Sequence, residues 1–257
     1  RGNAHHQHLF AVPSFRMDVK SYFGLGKSMG SALDHVGLFF GTATRHGAVV
    51  ANSNHQGSAL SVRKSRECSR YFSLAINDEG SRFLMNPNQV HFARIKASDL
   101  LVVDANDPET LSGPNAPDPT AWGLHGGLHR HCAHARCAMH VHSVFATVLA
   151  SLKDSRLPPI DQNCCTFFNR YVIDDGYGGL AFEDEGARCA AMLTDPKVRV
   201  MIMGNHGVLV LGSDTADAFN RLYYFERAVE TYIRALQTGR PLRVLPDDIA
   251  EKTAAEL

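Results

Sequence analysis

"HARCAMHVHSVFATVLASL", residues 134–152, decides how this chain is read. His140 and His142 alternate along what reads as a buried strand, and an apolar, helix-like run follows at once. An i, i+2 pair on a strand points both side chains to one face. Two readings follow. The imidazoles are hydrogen-bonded core residues, or they are two ligands to one metal ion. Taken alone, HxH is a weak motif, and the core reading leads.

Further along, "MGNHGVLVLG" (203–212) sets His206 in a tight turn between two apolar strands. Gly207 supplies the backbone freedom expected of such a turn and leaves the imidazole at a strand end. A histidine there and an HxH on another strand can converge on one point, and the metal reading then overtakes the core one. Three neutral imidazoles with open coordination positions make a catalytic type of site rather than a closed structural one.

The surrounding text supports one α/β domain. "YFSLAI" and "SRFLMNP" around "NDEG" read as a hairpin starting at Tyr71, and "ASDLLVVD" as a strand running into a Pro/Asp/Asn loop. "PTAWGLHGGLHRHCA" (119–133) reads as a helix despite its glycines, with Thr120 as N-cap. "EDEGARCAAML" is a helix with acids in its first turn, and residues 214–239 form a long amphipathic helix ending at Gly239. Strands and helices alternate without a repeat, which predicts a mixed sheet flanked by helices. Residues 1–65 show no usable periodicity, with a tag-like start carrying His5, His6 and His8. The expected division is therefore an N-terminal segment 1–65, a domain 66–243 and a C-terminal tail 244–257.

Charge and cysteine usage narrow the function classes. Twenty-six basic residues balance 26 acidic ones, so no bulk field recruits nucleic acid or an anionic membrane. No apolar run approaches the ~20 residues of a bilayer span, and none at the N-terminus reads as a signal segment. Six scattered cysteines without a CxxC pair suit free thiols in a reducing, cytoplasmic setting. Fourteen histidines are many for 257 residues, and they are the feature to explain.

Together "HVHSVFATVLASL", "MGNHGVLVLG" and "LYYFERA" resemble the class II aldolase/adducin N-terminal domain family, in the family's order, from about Tyr71 to Arg243. "RFLMNPNQVHFARIKASDLLVVD" and "YGGLAFEDEG" fit the same pattern. The resemblance implies a three-layer α/β/α fold on a central mixed, mainly antiparallel sheet. It also implies a homotetramer with sites between subunits. Finally, it implies a divalent metal on His140, His142 and His206, most often Zn2+, with Fe2+ and Mn2+ as alternatives.

One departure matters. Sugar-phosphate aldolases of the family carry a catalytic Glu in a Ser-Ser-Glu-Trp stretch nineteen residues before the first ligand. Here "DPTAW" stands there, with Ala121 at the Glu position and Pro119 and Thr120 in place of the phosphate-binding serines. The pattern is closer to adducin-like and decarboxylase-like members with a small residue at that position and two helical histidines after it.

Those histidines, His125 and His129, share the Ala121 face of the helix. Either is a candidate fourth ligand or general acid/base; against this, His129 reads first as a surface or packing residue, while His125 is as readily functional as structural. His131 and His134 read as a solvated helix end, and Cys132 and Cys137 as buried small hydrophobes. Glu226 falls on the apolar stripe of the last long helix, where a carboxylate needs a partner. The expected partner is an Arg or His, in a structural ion pair or as support for a ligand imidazole. Tyr177, in the Gly-flanked "DDGYGGLAF", is a candidate proton donor, reaching its own or a neighbouring subunit's site.

Three functions compete. The first is a metal-dependent enzyme acting on a small oxygenated carbonyl or carboxylate substrate by C–C cleavage, decarboxylation or epimerisation. The second is an Fe(II)-dependent oxygenase on the same histidines. The third is a non-catalytic adducin-like assembly module, which has no need of a histidine triad.

Overall fold

The computed structural model describes residues 70–90, 92–112, 116–176 and 182–257. Residues 1–65 and the loop that holds Tyr177 lie outside the described residues. Seven strands form one sheet: β1 (Tyr71–Ala75), β2 (Arg82–Met85), β3 (Leu101–Asp104), β4 (Cys137–Val141), β5 (Tyr171–Asp174), β6 (Val200–Met203) and β7 (Gly207–Gly212). Their order is β3-β2-β1-β4-β7-β6-β5. Five of the six neighbouring pairs are antiparallel and only β5–β6 is parallel, the mixed, mainly antiparallel sheet expected. The helices are α1 (Pro119–His131), α2 (Val144–Ala150), α3 (Gln162–Thr166), α4 (Phe182–Met192), α5 (Thr215–Gln237) and α6 (Asp247–Glu256).

Register separates the two faces of the sheet, because directly paired residues project to the same side. Phe72 pairs with Met139, Val141 with Val208, and Val208 with Ile202. This face is covered by Leu149 of α2, Cys164 of α3, and Phe225, Val229 and Ile233 of α5. Tyr71 pairs with His140, Ser73 with Ala138, and His140 with Leu209. On this second side Ala138, Met201, Leu209 and Leu211 pack beneath Leu124 and Leu128 of α1, Cys189 and Ala190 of α4, and Leu193 just after it. Two helical layers therefore enclose the sheet, and His140 and Ser73 point into the α1 side.

Three local features place the helices, and the first differs from expectation. The N-cap of α1 is Asp118 rather than Thr120: its carboxylate accepts from the backbone N–H of Thr120 (2.9 Å) and Ala121 (3.2 Å), with Pro119 at the first helical position. The helix tolerates its glycines because α4 crosses there. A Cβ on Gly127 would stand 2.5 Å from the Gly186 carbonyl carbon, and one on Gly186 would run into Gly123 O. Helix propensity is thus given up for close approach, and α1 is buried on all sides from Ala121 to His129. Third, residues 244–257 carry the helix α6, with Arg170 donating to Glu251 at 2.6 Å. Among the described residues no helix is long and apolar enough to cross a membrane.

Candidate metal centre

His140 is buried at the end of β4, His142 follows that strand, and His206 precedes β7. Their rings stand 4.7–5.0 Å apart, centroid to centroid, and one nitrogen of each lies within 4.8 Å of the others. The HxH pair and the NHG turn therefore converge as the sequence suggested.

The turn is built for this approach, though not through the freedom expected of Gly207. Asn205 takes the left-handed conformation, at φ 55°. Gly207 is required for space, since a Cβ there would lie 2.5 Å from Val141 O and 2.7 Å from the His142 ring. Asn205 N–H donates to Ala150 O (2.8 Å) and Gly204 N–H to Asp174 O (2.7 Å), tying the turn to α2 and β5.

The donor set suits a dication. His140 Nδ1–H donates to Val208 O at 3.2 Å, which leaves Nε2 as the nitrogen with a lone pair. That Nε2 faces His142 Nε2 at 3.1 Å. Two nitrogens each about 2.0–2.1 Å from one ion stand roughly 3 Å apart, so this separation fits two ligands of a common cation. Burial pushes the pKa of His140 well below the ordinary value, with His206, His142 and His125 adding to it. Burial, then His206 and Arg70, lower His142 to about 4. Burial also lowers His206, against the pull of Asp174. All three stay neutral near pH 7, the state that binds metal.

His125 and His129 are both buried, the latter as a packing rather than a surface residue, and both lie over Ser73. Ser73 Oγ stands 2.6 Å from His125 Nδ1 and 2.7 Å from His129 Nε2, and His129 Nδ1–H donates to Ala135 O at 2.6 Å. His125 does not join the cluster of three, which speaks against its being a fourth ligand. Ser73 escaped the sequence reading. Its signal was a hydroxyl on the Tyr71–Ser73–Ala75 face of an otherwise apolar strand. His131 is exposed as expected, whereas His134 is half-buried. Cys132 and Cys137 are buried free thiols whose pKa burial raises.

Among the described residues Glu226 meets neither an Arg nor a His. Its oxygens accept from Ser143 Oγ (2.6 Å), Phe145 N–H (2.9 Å) and Ala146 N–H (3.0 Å). The carboxylate of α5 thus caps the N-terminus of α2, the role that Ser143 holds by position but does not perform. It acts one residue beyond His142, through the backbone rather than an imidazole. The Glu position of the aldolases, Ala121, is buried in one cluster with Tyr71, the strand partner of His140.

Fold and site together define an α/β/α protein with three convergent histidines at the end of its sheet. The chain belongs to the class II aldolase and adducin N-terminal domain family, whose family model matches residues 43–233. It is 25% identical over 186 residues to "Decarboxylase NovR" of Streptomyces niveus, covering 72% of this chain and 67% of the relative. It is 29% identical over 147 residues to "4-hydroxy-3-prenylphenylpyruvate oxygenase/4-hydroxy-3-prenylbenzoate synthase" of Streptomyces roseochromogenus subsp. oscitans, covering 57% and 52%. The chain thus spans between half and two thirds of these curated relatives' length. Among solved structures it is similar to an aldolase II superfamily protein from Pseudomonas syringae, with a TM-score of 0.70, 25% identity and coverage of 89% and 86%.

Proposed function

We propose that this chain is a divalent-metal-dependent enzyme acting on a small oxygenated carbonyl or carboxylate substrate, by C–C cleavage, decarboxylation or epimerisation. The observation that carries this reading is the convergence of three imidazole nitrogens from the end of β4 and the turn before β7. His140, His142 and His206 would hold the ion, with zinc the first candidate and Fe(II) or Mn(II) the alternatives. When bound, the cation supplies Lewis acidity toward a substrate oxygen. His125 is the proposed acid/base, and Tyr177 the proposed proton donor from its own or a neighbouring subunit in a homotetramer. Buried thiols suit a reducing, cytoplasmic setting.

A second reading, an Fe(II)-dependent oxygenase, draws support from the name of the second relative above. Metal analysis of protein purified without added metal, followed by assays on 2-oxo and 2-hydroxy acids with and without O2, separates the two. Turnover that needs O2 and iron selects the oxygenase; turnover indifferent to O2 selects the lyase-type reading.

Sugar-phosphate aldol cleavage is a weaker fit, because Ala121 leaves no carboxylate there and Pro119 and Thr120 displace the serines. Ala121→Glu should therefore lower native turnover and leave ketose-phosphate cleavage near background. A carboxylate beside a dication stays anionic and competes for an open position. A large gain in ketose-phosphate cleavage would return the protein to the aldolases.

A further inference from the structure

Hydrogen-bond logic under α1 determines more than the packing of two histidines. Ala135 O can only accept, so His129 Nδ1 carries a proton. Burial keeps His129 neutral near pH 7, lowering its pKa to about 4, so its Nε2 is an acceptor. Ser73 must then donate its one hydroxyl proton to His129 Nε2. Left without a proton for His125, Ser73 Oγ accepts from His125 Nδ1–H. His125 is itself neutral, its pKa lowered to about 3 by burial and then by His129. Its Nε2 is therefore an unprotonated, fully buried acceptor that meets no hydrogen-bond partner among the described residues. An orphaned buried acceptor is costly, and its natural complement is a donor that arrives with a ligand.

His125 Nδ1 faces Ser73, so Nε2 lies on the opposite edge of the ring. Ser73 and Tyr71 share one face of β1, and Tyr71 is the strand partner of His140, so His125 stands over the sheet face that carries His140. Building on the metal-dependent reading above, we infer that Ser73 and His129 lock His125 as the Nδ1–H tautomer, so that its Nε2 takes a proton from a substrate bound at the triad. The donor is a hydroxyl, or a C–H next to a carbonyl. As Nε2 gains that proton, the Nδ1 proton passes to Ser73 Oγ and the Ser73 proton to His129 Nε2. His125 ends neutral as the Nε2–H tautomer, with Ser73 now donating to its Nδ1. The charge rests on His129, two hydrogen bonds from the triad side and held by Ala135 O. No electrons move, and the reverse sequence returns the proton. Ser73 and His129 are positioning residues acting through His125. Among the described residues, the charged or titratable groups acting on the pair are His129 on His125 and Arg136 on His129, and His125 in turn acts on His140.

Nitrogen-15 NMR of histidine-labelled chain reads this directly. At pH 7 the full chain should show His125 protonated at Nδ1 and bare at Nε2. On acidification, the first proton added to the pair should make His129 cationic while His125 switches to Nε2–H. Ser73→Ala should lose both the lock and the coupled switch; Ser73→Thr, which keeps the hydroxyl, should restore them. A wild-type His125 protonated at Nε2 at pH 7 overturns the proposal without any variant. So does a Ser73→Ala chain with an unchanged tautomer and switch. Adding Zn(II) to the same sample tests the other reading separately: ring-nitrogen signals of His140, His142 and His206 should move. If they do not, the metal reading fails while the tautomer result stands.

Discussion

Two groups of histidines lie on the same side of the same sheet, and their environments differ. In the His125–Ser73–His129 chain, each donor has an acceptor, and one nitrogen is left over. In the triad, two Nε2 atoms face one another at 3.1 Å, and three rings crowd within 5.0 Å. Lone pairs brought together invite a cation, whereas a matched chain of donors and acceptors fixes a tautomer. Burial lowers the pKa in both groups, so a lowered pKa alone does not separate a ligand from a relay. The partners do.

Breaking the triad should have the largest effect. His142→Ala should abolish stoichiometric metal after dialysis and reduce turnover by about 10²-fold or more, with the fold kept by circular dichroism. One metal per chain in that variant would sink the assignment.

Acid should affect both groups, and metal should separate them. With folded values of about 3 and about 4, His125 and His129 refuse protons that the unfolded chain accepts below its ordinary 6.5. Stability is therefore intact above pH 6.5 and falls as pH drops toward 4. Each histidine contributes up to about 1.4 kcal/mol per pH unit, so metal-free chain should lose about 3–4 kcal/mol between pH 6.5 and 5 from this pair alone. Urea midpoints across that range, with and without Zn(II), check it. Zinc should add stability near neutral pH without removing the contribution of the pair.

Within the relay, His129→Ala leaves Ala135 O without its buried donor and a void beside Phe83, whose ring stands 5.0 Å away. The expected loss is about 2–3 kcal/mol in the urea midpoint, with metal content unchanged. Loss of metal in this variant would show that the two groups are one unit. The smallest effect belongs to the cap behind His142. Glu226→Ala should cost about 1–2 kcal/mol, and Glu226→Gln less, because the amide oxygen still accepts.

Periodicity and motif chemistry carried the sequence reading through most of the sheet. The β1–β2 hairpin, the strands on either side of His206, and the helices α1, α4 and α5 are all legible, because each shows its own buried pattern. β5 and α6 go unread: "YVID" is four residues long, and α6 is a short polar helix that buries only Ala250. His140, His142 and His206 could be grouped because strand alternation and an NHG turn are local constraints, written within a few residues. The partner of Glu226 could not be read, since the open N–H groups it caps belong to a helix 80 residues away in sequence. The role of Ser73 was hidden for the same reason. A serine in "YFSLA" is unremarkable until β1 pairs with β4 and α1 lays two imidazoles across it. The sequence by itself determined which side chains can bind a metal and which face of each element is apolar. Only the tertiary structure decided which buried polar atoms satisfy one another, because hydrogen-bond partners are set by pairing register and helix placement, which bring together residues that no local pattern links.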